Sequence, residues 1–293
     1  MGEILRATNK NLTMRIFAIE STDMVEKARM IHHTTPVASA ALGRMISAAS
    51  MMGVMMKGDN DKLTVQIKGD GPLGGVVAVV NSKGVVKAYP MNPMVDLPLR
   101  EDGKLDVSGA LGREGKFTVI KDLGLKDPYI GQTDLVTGEI AEDITAYYAY
   151  SEQQPSAVAL GVLVAPDQSI MAAGGFIVQL MPDALEEEIS QLEKNLSKVS
   201  SVSHLIADGK TLEEIVELVL EGLDPIFNEK VKVEFRCDCS RERMEAALVS
   251  IGLEELEDIL AKEKETELQC HFCNTKYHFS EQDIRNLIQE SQV

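Results

Sequence analysis

The spacing of apolar positions gives this chain three textures. Through residue 180, short alternating runs are mixed with longer helical stretches. Leu12 to Glu20 alternates as a strand does, while Asp23 to His33 and Pro36 to Met56 carry helical spacing, with Pro36 suited to a first helical position. Leu63 to Lys68 predicts a strand that enters the glycine-rich turn Gly69 to Gly75. Val76 to Val80 and Val85 to Tyr89 flank Asn81-Ser82-Lys83-Gly84 and predict a hairpin. Glu139 to Tyr150 predicts a helix, and Ala157 to Ala165 and Ser169 to Leu180 predict two strands about Pro166-Asp167-Gln168. Together these runs predict one α+β domain over 1–180, an antiparallel sheet with helices.

After Pro182 the period turns helical. Leu185, Ile189, Leu192, Leu196 and Val199 recur at alternating spacings of four and three, and Asp208-Gly209 breaks the run. Thr211 and Glu214 then form a capping box that opens a second helix with Leu212, Ile215, Val219 and Leu223. Two such amphipathic helices cannot bury their apolar faces on each other alone, so this region, 181–229, must lean on another part of the protein. It reads as a helical linker.

The third texture, 230–293, is a small module of short elements. Val231 to Phe235 is strand-like, and Ser240 caps a helix bearing Met244, Ala247, Leu248 and Ile251 that stops at Gly252. A helical stretch with Leu256, Ile259 and Leu260 follows. Leu268 to Phe279 predicts a hairpin, and Ser280 caps a last helix with Ile284, Leu287 and Ile288. Some sixty residues are few for a secure core without a staple.

Charge sharpens this picture. The formal net charge of −17 argues against a role built on neutralising phosphates, and residues 237–293 carry six Lys and Arg against thirteen Asp and Glu. No nucleic-acid partner is expected. The stretch Val37 to Met56 is apolar enough to suggest a membrane span, but Arg44 and its many Ser, Gly and Ala residues favour a buried helix, so no membrane partner is expected either. The polar start, Met1 to Lys10, lacks a secretory signal, and the cytoplasm is the expected compartment.

All four cysteines lie in the small module, as Cys237-Asp238-Cys239 and Cys270-His271-Phe272-Cys273, with thirty residues between the pairs. In a reducing compartment such spacing predicts one tetrathiolate zinc site rather than permanent disulfides. Four sulfurs close a tetrahedral ion, leaving no need for His271 or His278 and no open catalytic position. The C-x-C half is also close enough to form a bond within itself, so separate redox thiols remain the alternative. Zinc contributes roughly 10–16 kcal/mol to modules of this size, so the metal would decide whether this one is folded.

Other patterns carry less. Gly69 to Gly75 lacks the order of a phosphate-binding loop and leads into a strand, which makes it a turn. His32-His33 sits at a helix end, where histidines commonly meet the dipole. Met45, Met51, Met52, Met55 and Met56 read as core packing more readily than as a promiscuous surface. No catalytic constellation can be assembled, and no enzyme is expected.

The cysteine pattern resembles that of the redox-regulated 33 kDa chaperonins, a bacterial heat-shock family. The resemblance extends to Gly69-Asp70-Gly71-Pro72-Leu73-Gly74, to Ser151-Glu152-Gln153-Gln154-Pro155 and to Ala173 through Pro182, and it covers the whole chain without departure at the four cysteines. It implies a cytoplasmic, ATP-independent holdase of the stress response. When reduced, such a protein is inactive and holds one Zn2+ per chain through Cys237, Cys239, Cys270 and Cys273. Oxidation implies the disulfides Cys237–Cys239 and Cys270–Cys273, zinc release, and unfolding of the module and linker. The activated homodimer then binds unfolded client proteins. The competing reading is a thiol-disulfide oxidoreductase using the two pairs catalytically. Against it, a redox C-x-x-C normally opens a helix, whereas Cys270 falls in a predicted hairpin.

Overall fold

The computed structural model describes residues 1–262 and 265–291, and the chain divides into two compact units, Met1–Arg236 and Cys237–Val293. The larger unit is built on a ten-stranded sheet. Its strands are β1 (Gly2–Asn9), β2 (Met14–Glu20), β3 (Lys62–Gly69), β4 (Gly75–Asn81), β5 (Val85–Pro90), β6 (Gly115–Asp122), β7 (Tyr129–Asp134), β8 (Ser156–Val164), β9 (Ile170–Leu180) and β10 (Pro225–Phe235). Their order across the sheet is β7-β6-β3-β4-β5-β10-β1-β2-β9-β8. Every neighbouring pair is antiparallel except β5 and β10, which run parallel over Glu234–Val85 and Phe235–Val86. The predicted β4–β5 hairpin is present. Asn81 accepts backbone hydrogen bonds from Lys83 and Val85, and Gly84 takes the left-handed conformation the turn requires, at φ 75°.

Period-two alternation sends side chains to two different cores. Ile4, Phe17, Ile19 and Ile177 face one side of the sheet, where α1 (Thr22–His32), α2 (Pro36–Val54) and α4 (Ile140–Tyr150) complete the larger core. The apolar window of α2 is 94% buried, so it is a core helix, and Met45, Met51 and Met52 lie inside that core. A short helix, α3 (Val107–Leu111), and strands β6 and β7 occupy a stretch in which the apolar pattern singled out no element.

Leu5, Met14, Ile16, Phe176 and Val178 point to the other side. They are covered by α5 (Glu186–Leu196), α6 (Val202–Ala207) and α7 (Leu212–Val219), which fall within the 181–229 region. The helices whose amphipathic stripes demanded a partner thus find it in the sheet. Leu192, Leu212, Ile215 and Val219 are buried as their spacing predicts, whereas Leu185 is 59% exposed at the helix start. The capping box holds, with Thr211 accepting from the Glu214 N–H at 3.2 Å and Glu214 accepting from the Thr211 N–H at 2.8 Å.

Two differences from the sequence pattern matter. Residues 231–235, expected to open the small module, are the end of β10 and pair within the large sheet. The division between compact units therefore falls at Arg236, not at 230. In addition, the polar residues Glu188 and Asn195 lie on the buried face of α5, beside its apolar stripe. Glu188 accepts from Asn11 (2.8 Å), Thr13 (2.8 Å), Asn9 (3.2 Å) and the Leu185 N–H (3.1 Å). Asn195 donates to the carbonyls of Val219 and Glu221.

The smaller unit holds α8 (Arg241–Ser250), α9 (Leu253–Lys262), the two-stranded sheet of β11 (Thr266–Gln269) and β12 (Lys276–Phe279), and α10 (Glu281–Ser291). Its core consists of Leu248, Leu256, Phe279, Ile284 and Leu287.

Candidate metal centre

The four cysteines arrive from two local structures. Cys270 and Cys273 sit in the turn between β11 and β12. There the Cys270 N–H donates to the Thr275 carbonyl at 2.9 Å, and the Asn274 N–H donates to the Cys270 carbonyl at 2.8 Å. Asn274 is left-handed at φ 59°, a conformation its short polar side chain tolerates. This tight turn aims both sulfurs to one side. Cys237 and Cys239 immediately precede α8, whose N-cap Ser240 accepts from the Arg243 N–H, while Arg243 pairs with Asp238 between the two thiols.

These two halves converge. All four sulfurs lie within 4.8 Å of one another and all are free thiols. The Cys237–Cys270 sulfurs are 3.7 Å apart and the Cys239–Cys273 sulfurs 3.3 Å. Two thiolates on a tetrahedral zinc with bonds of about 2.3 Å stand about 3.8 Å apart, so the cluster has the dimensions of such a site. Among the described residues it is the one group of cysteine, histidine and acidic side chains gathered closely enough to hold a metal ion. Neither nearby histidine joins it. His278 pairs with Glu267 at 3.2 Å, and His271 is exposed. His32, at the end of α1, is buried with Nε2 3.0 Å from the Ala88 carbonyl oxygen, a structural contact.

The electrostatics favour a cation. Burial pushes the Cys237 thiol well above its ordinary range and also raises Cys270. Burial acts upward on Cys273 too, but hydrogen bonding with Thr275 and the neighbouring thiols outweighs it and brings that thiol to about 7. Four sulfurs in this space cannot all ionise unless a positive charge joins them. A soft dication would satisfy them.

Three residues that the sequence pattern did not single out complete the site. The Tyr277 hydroxyl donates to Cys239 Sγ at 3.1 Å, and this contact raises its own pKa to about 12. The Thr275 hydroxyl lies 3.2 Å from Cys273 Sγ. Arg241 donates to the His278 carbonyl, stacks 4.5 Å from the centre of the Phe279 ring and pairs with Asp283, tying α8 to β12 and to the start of α10. Tyr277 shares the core-facing side of β12 with Phe279 two residues on, a cue visible only once the register is known. Cys270 follows a strand and enters a turn, not a helix, which is not the context of a redox-catalytic C-x-x-C.

Comparison with known proteins places these features in a wider group. The family model described as Hsp33 protein matches residues 2–280. A 33 kDa chaperonin of Ruminiclostridium cellulolyticum is 54% identical over 292 residues, covering 99% of each chain. One from Clostridioides difficile is 50% identical over 287 residues, covering 98% of each. The crystal structure of the 33 kDa chaperonin from Thermotoga maritima superposes with a TM-score of 0.91 at 37% identity, covering 99% of this chain and 98% of that one.

Proposed function

The chain belongs to the Hsp33 protein family, and from that premise we propose that it is a redox-switched holdase whose resting state is the folded small unit around zinc. The observation that carries this reading is the set of four free thiols within 4.8 Å of one another, drawn from segments thirty residues apart. Cys237, Cys239, Cys270 and Cys273 would hold one Zn2+, and the bound ion supplies the long-range tie that the small core lacks.

Oxidation removes that tie. Joining two sulfurs takes two electrons from them, so two disulfides consume two equivalents of a two-electron oxidant such as a peroxide, each reduced to water or alcohol, and no thiolate remains to hold the ion. We assign the pairs Cys237–Cys239 and Cys270–Cys273. Cross-pairs are just as close in the folded cluster, but once the unit opens, the neighbours in sequence have the shortest loops to close. The small C-x-C ring is strained and so readily reduced again, as a reversible switch requires.

The signal reaches the client-binding surface along the chain. Arg236 alone separates β10 from Cys237, and β10 is joined to β5 through only two residue pairs. Disorder beginning at Cys237 can fray that end of β10, and β10 directly follows α7. Loosening α5–α7 would uncover the face bearing Leu5, Met14, Ile16, Phe176 and Val178, an apolar surface suited to unfolding clients. On this reading 1–180 is the client-binding and dimerising domain, 181–229 the linker that covers it, and 237–293 the switch. The active form is a cytoplasmic homodimer that works without ATP, kept soluble by the net charge of −17.

The test follows zinc release and suppression of client aggregation together during an oxidant titration. The two are expected to move in step. Peptide mapping should find the two local disulfides, and a dominant Cys239–Cys270 bridge would refute the pairing. Hydrogen exchange should show 237–293 losing protection first and α5–α7 following. An active, zinc-free, oxidised protein with 237–293 still protected would rule out unfolding as the switch.

A further inference from the structure

Four thiolates carry four negative charges and a divalent ion returns only two of them, so a loaded site holds negative charge in excess. That excess falls in a unit that is itself acidic, with six Lys and Arg against thirteen Asp and Glu over 237–293. Arg243, the arginine that follows the first cysteine pair, is already engaged by Asp238. Hydrogen bonding at the sulfurs is the other way to spread the charge. The backbone N–H groups of Cys239, Phe272 and Thr275 serve Cys237, Cys270 and Cys273 in turn. Cys239 is served from across the unit, where the Tyr277 hydroxyl donates to Sγ at 3.1 Å from 38 residues further along the chain. The ring of Tyr277 packs on the small core of Leu248, Leu256, Phe279, Ile284 and Leu287, and only its polar tip leaves that core for the sulfur. A phenylalanine would fill the same space. The oxygen atom is therefore not needed for packing, and its place beside Cys239 calls for another reason.

We propose that Tyr277 is a positioning residue of the thiol switch, whose hydroxyl holds charge on Cys239 and thereby sets how fast that sulfur reacts with an oxidant. A donor at sulfur stabilises the negative charge and draws electron density away from attack, and a less basic thiolate is a weaker nucleophile. With a peroxide, attack by the Cys239 sulfur forms an S–O bond, breaks the O–O bond and releases one hydroxide. A neighbouring thiolate then forms the S–S bond and displaces the second hydroxide, and both leave as water after taking protons from solvent. The sulfur pair loses two electrons and the peroxide gains them. Tyr277 slows the first of these steps without taking part in either.

The same contact bears on the metal. A ligand held by a second group keeps its orientation and its share of the excess charge, so loss of the hydroxyl loosens the ion as well as exposing the sulfur to attack. Thr275, whose hydroxyl lies 3.2 Å from Cys273 Sγ, is the counterpart at the other pair, but there a backbone N–H serves the same sulfur and remains when the side chain is changed. The inference rests on the zinc reading of the four cysteines.

Tyr277→Phe in the full, reduced, zinc-loaded chain tests this through initial rates of alkylation by iodoacetamide, read cysteine by cysteine by mass spectrometry. The rate at Cys239 should rise about fivefold, with Cys270 and Cys273 little changed. Zinc affinity in a competition titration should fall about tenfold, and zinc release by hydrogen peroxide should quicken. Thr275→Val should give a smaller rise, about twofold, confined to Cys273. An equal rise at all four cysteines of the Tyr277→Phe chain would mean that the residue only supports the fold, and would overturn the proposal. Unchanged reactivity at Cys239 would overturn it too, and with a zinc-loaded parent protein that failure leaves the zinc reading standing. A parent protein that elemental analysis finds free of zinc after loading would overturn both.

Discussion

Met1–Arg236 packs helices on both faces of a ten-stranded sheet, while among its described residues Cys237–Val293 gathers a core of five apolar side chains beside two four-residue strands. In the first unit apolar burial secures the fold, and polar contacts such as Glu188 with Asn9, Asn11 and Thr13 decide which helix sits where. In the second, the polar and thiol contacts are a large part of the fold itself. The cysteine cluster joins the residues before α8 to the β11–β12 turn, and Arg241 ties α8 to β12. On the proposed reading, a unit held this way is dismantled by chemistry at four sulfur atoms. A unit held by a wide sheet cannot.

The sharpest way to break this contrast is to remove the metal. Chelation, or the Cys270→Ser/Cys273→Ser double substitution, should abolish zinc binding in elemental analysis and unfold 237–293, since roughly 10–16 kcal/mol of binding energy is lost. Hydrogen exchange within the large unit's core should remain slow. Full zinc retention by the double variant would sink the site assignment.

Next in size are matched aromatic truncations. Phe279→Ala and Phe117→Ala each remove a fully buried ring, at a cost of about 3–5 kcal/mol. The proposed zinc site would link folding and metal binding in the small unit, so Phe279→Ala should weaken zinc affinity in a competition titration. Phe117→Ala should lower the thermal midpoint of the large unit and leave zinc affinity unchanged. Equal effects on zinc would mean the units are not separately held.

A smaller effect is expected at the clamp on α5. Glu188→Gln should cost about 1–3 kcal/mol and speed hydrogen exchange in α5 with little change in β1 or β2. Hydrogen bonds from Asn11, the Leu185 N–H, Thr13 and Asn9 hold the Glu188 carboxyl below its usual range despite its burial. Its contribution is therefore complete above the ordinary glutamate value of about 4.3 and is lost as pH falls through the depressed folded value. Exchange in α5 should accelerate on acidification in the parent protein, and less so in the Gln variant. The smallest change is Thr211→Ala, which removes the cap of α7 and should cost about 1 kcal/mol, read as faster exchange confined to that helix.

Much of this protein could be read from local sequence because the forces involved are local. Thiol chemistry and spacing pick out Cys237, Cys239, Cys270 and Cys273 without a fold, and the Thr211 capping box and the Asn81–Gly84 turn act within four residues. The helical stripes of 181–229 also announced that they needed a partner. Which partner, and at what point the sheet ended, were settled by contacts between residues far apart in sequence. Val231, Val233 and Phe235 alternate the same way whichever sheet they join, and only pairing with β1 and β5, far back in the chain, places them in the large unit. No local pattern marked Glu188, whose burial depends on Asn9, Asn11 and Thr13, the nearest of them 175 residues away. Tyr277 reaches Cys239 across 38 residues, through a hairpin register that local pattern leaves open. Periodicity records which side of an element is apolar. Only the closed tertiary structure decides what that side meets, because the energy of burial depends on the surface brought against it.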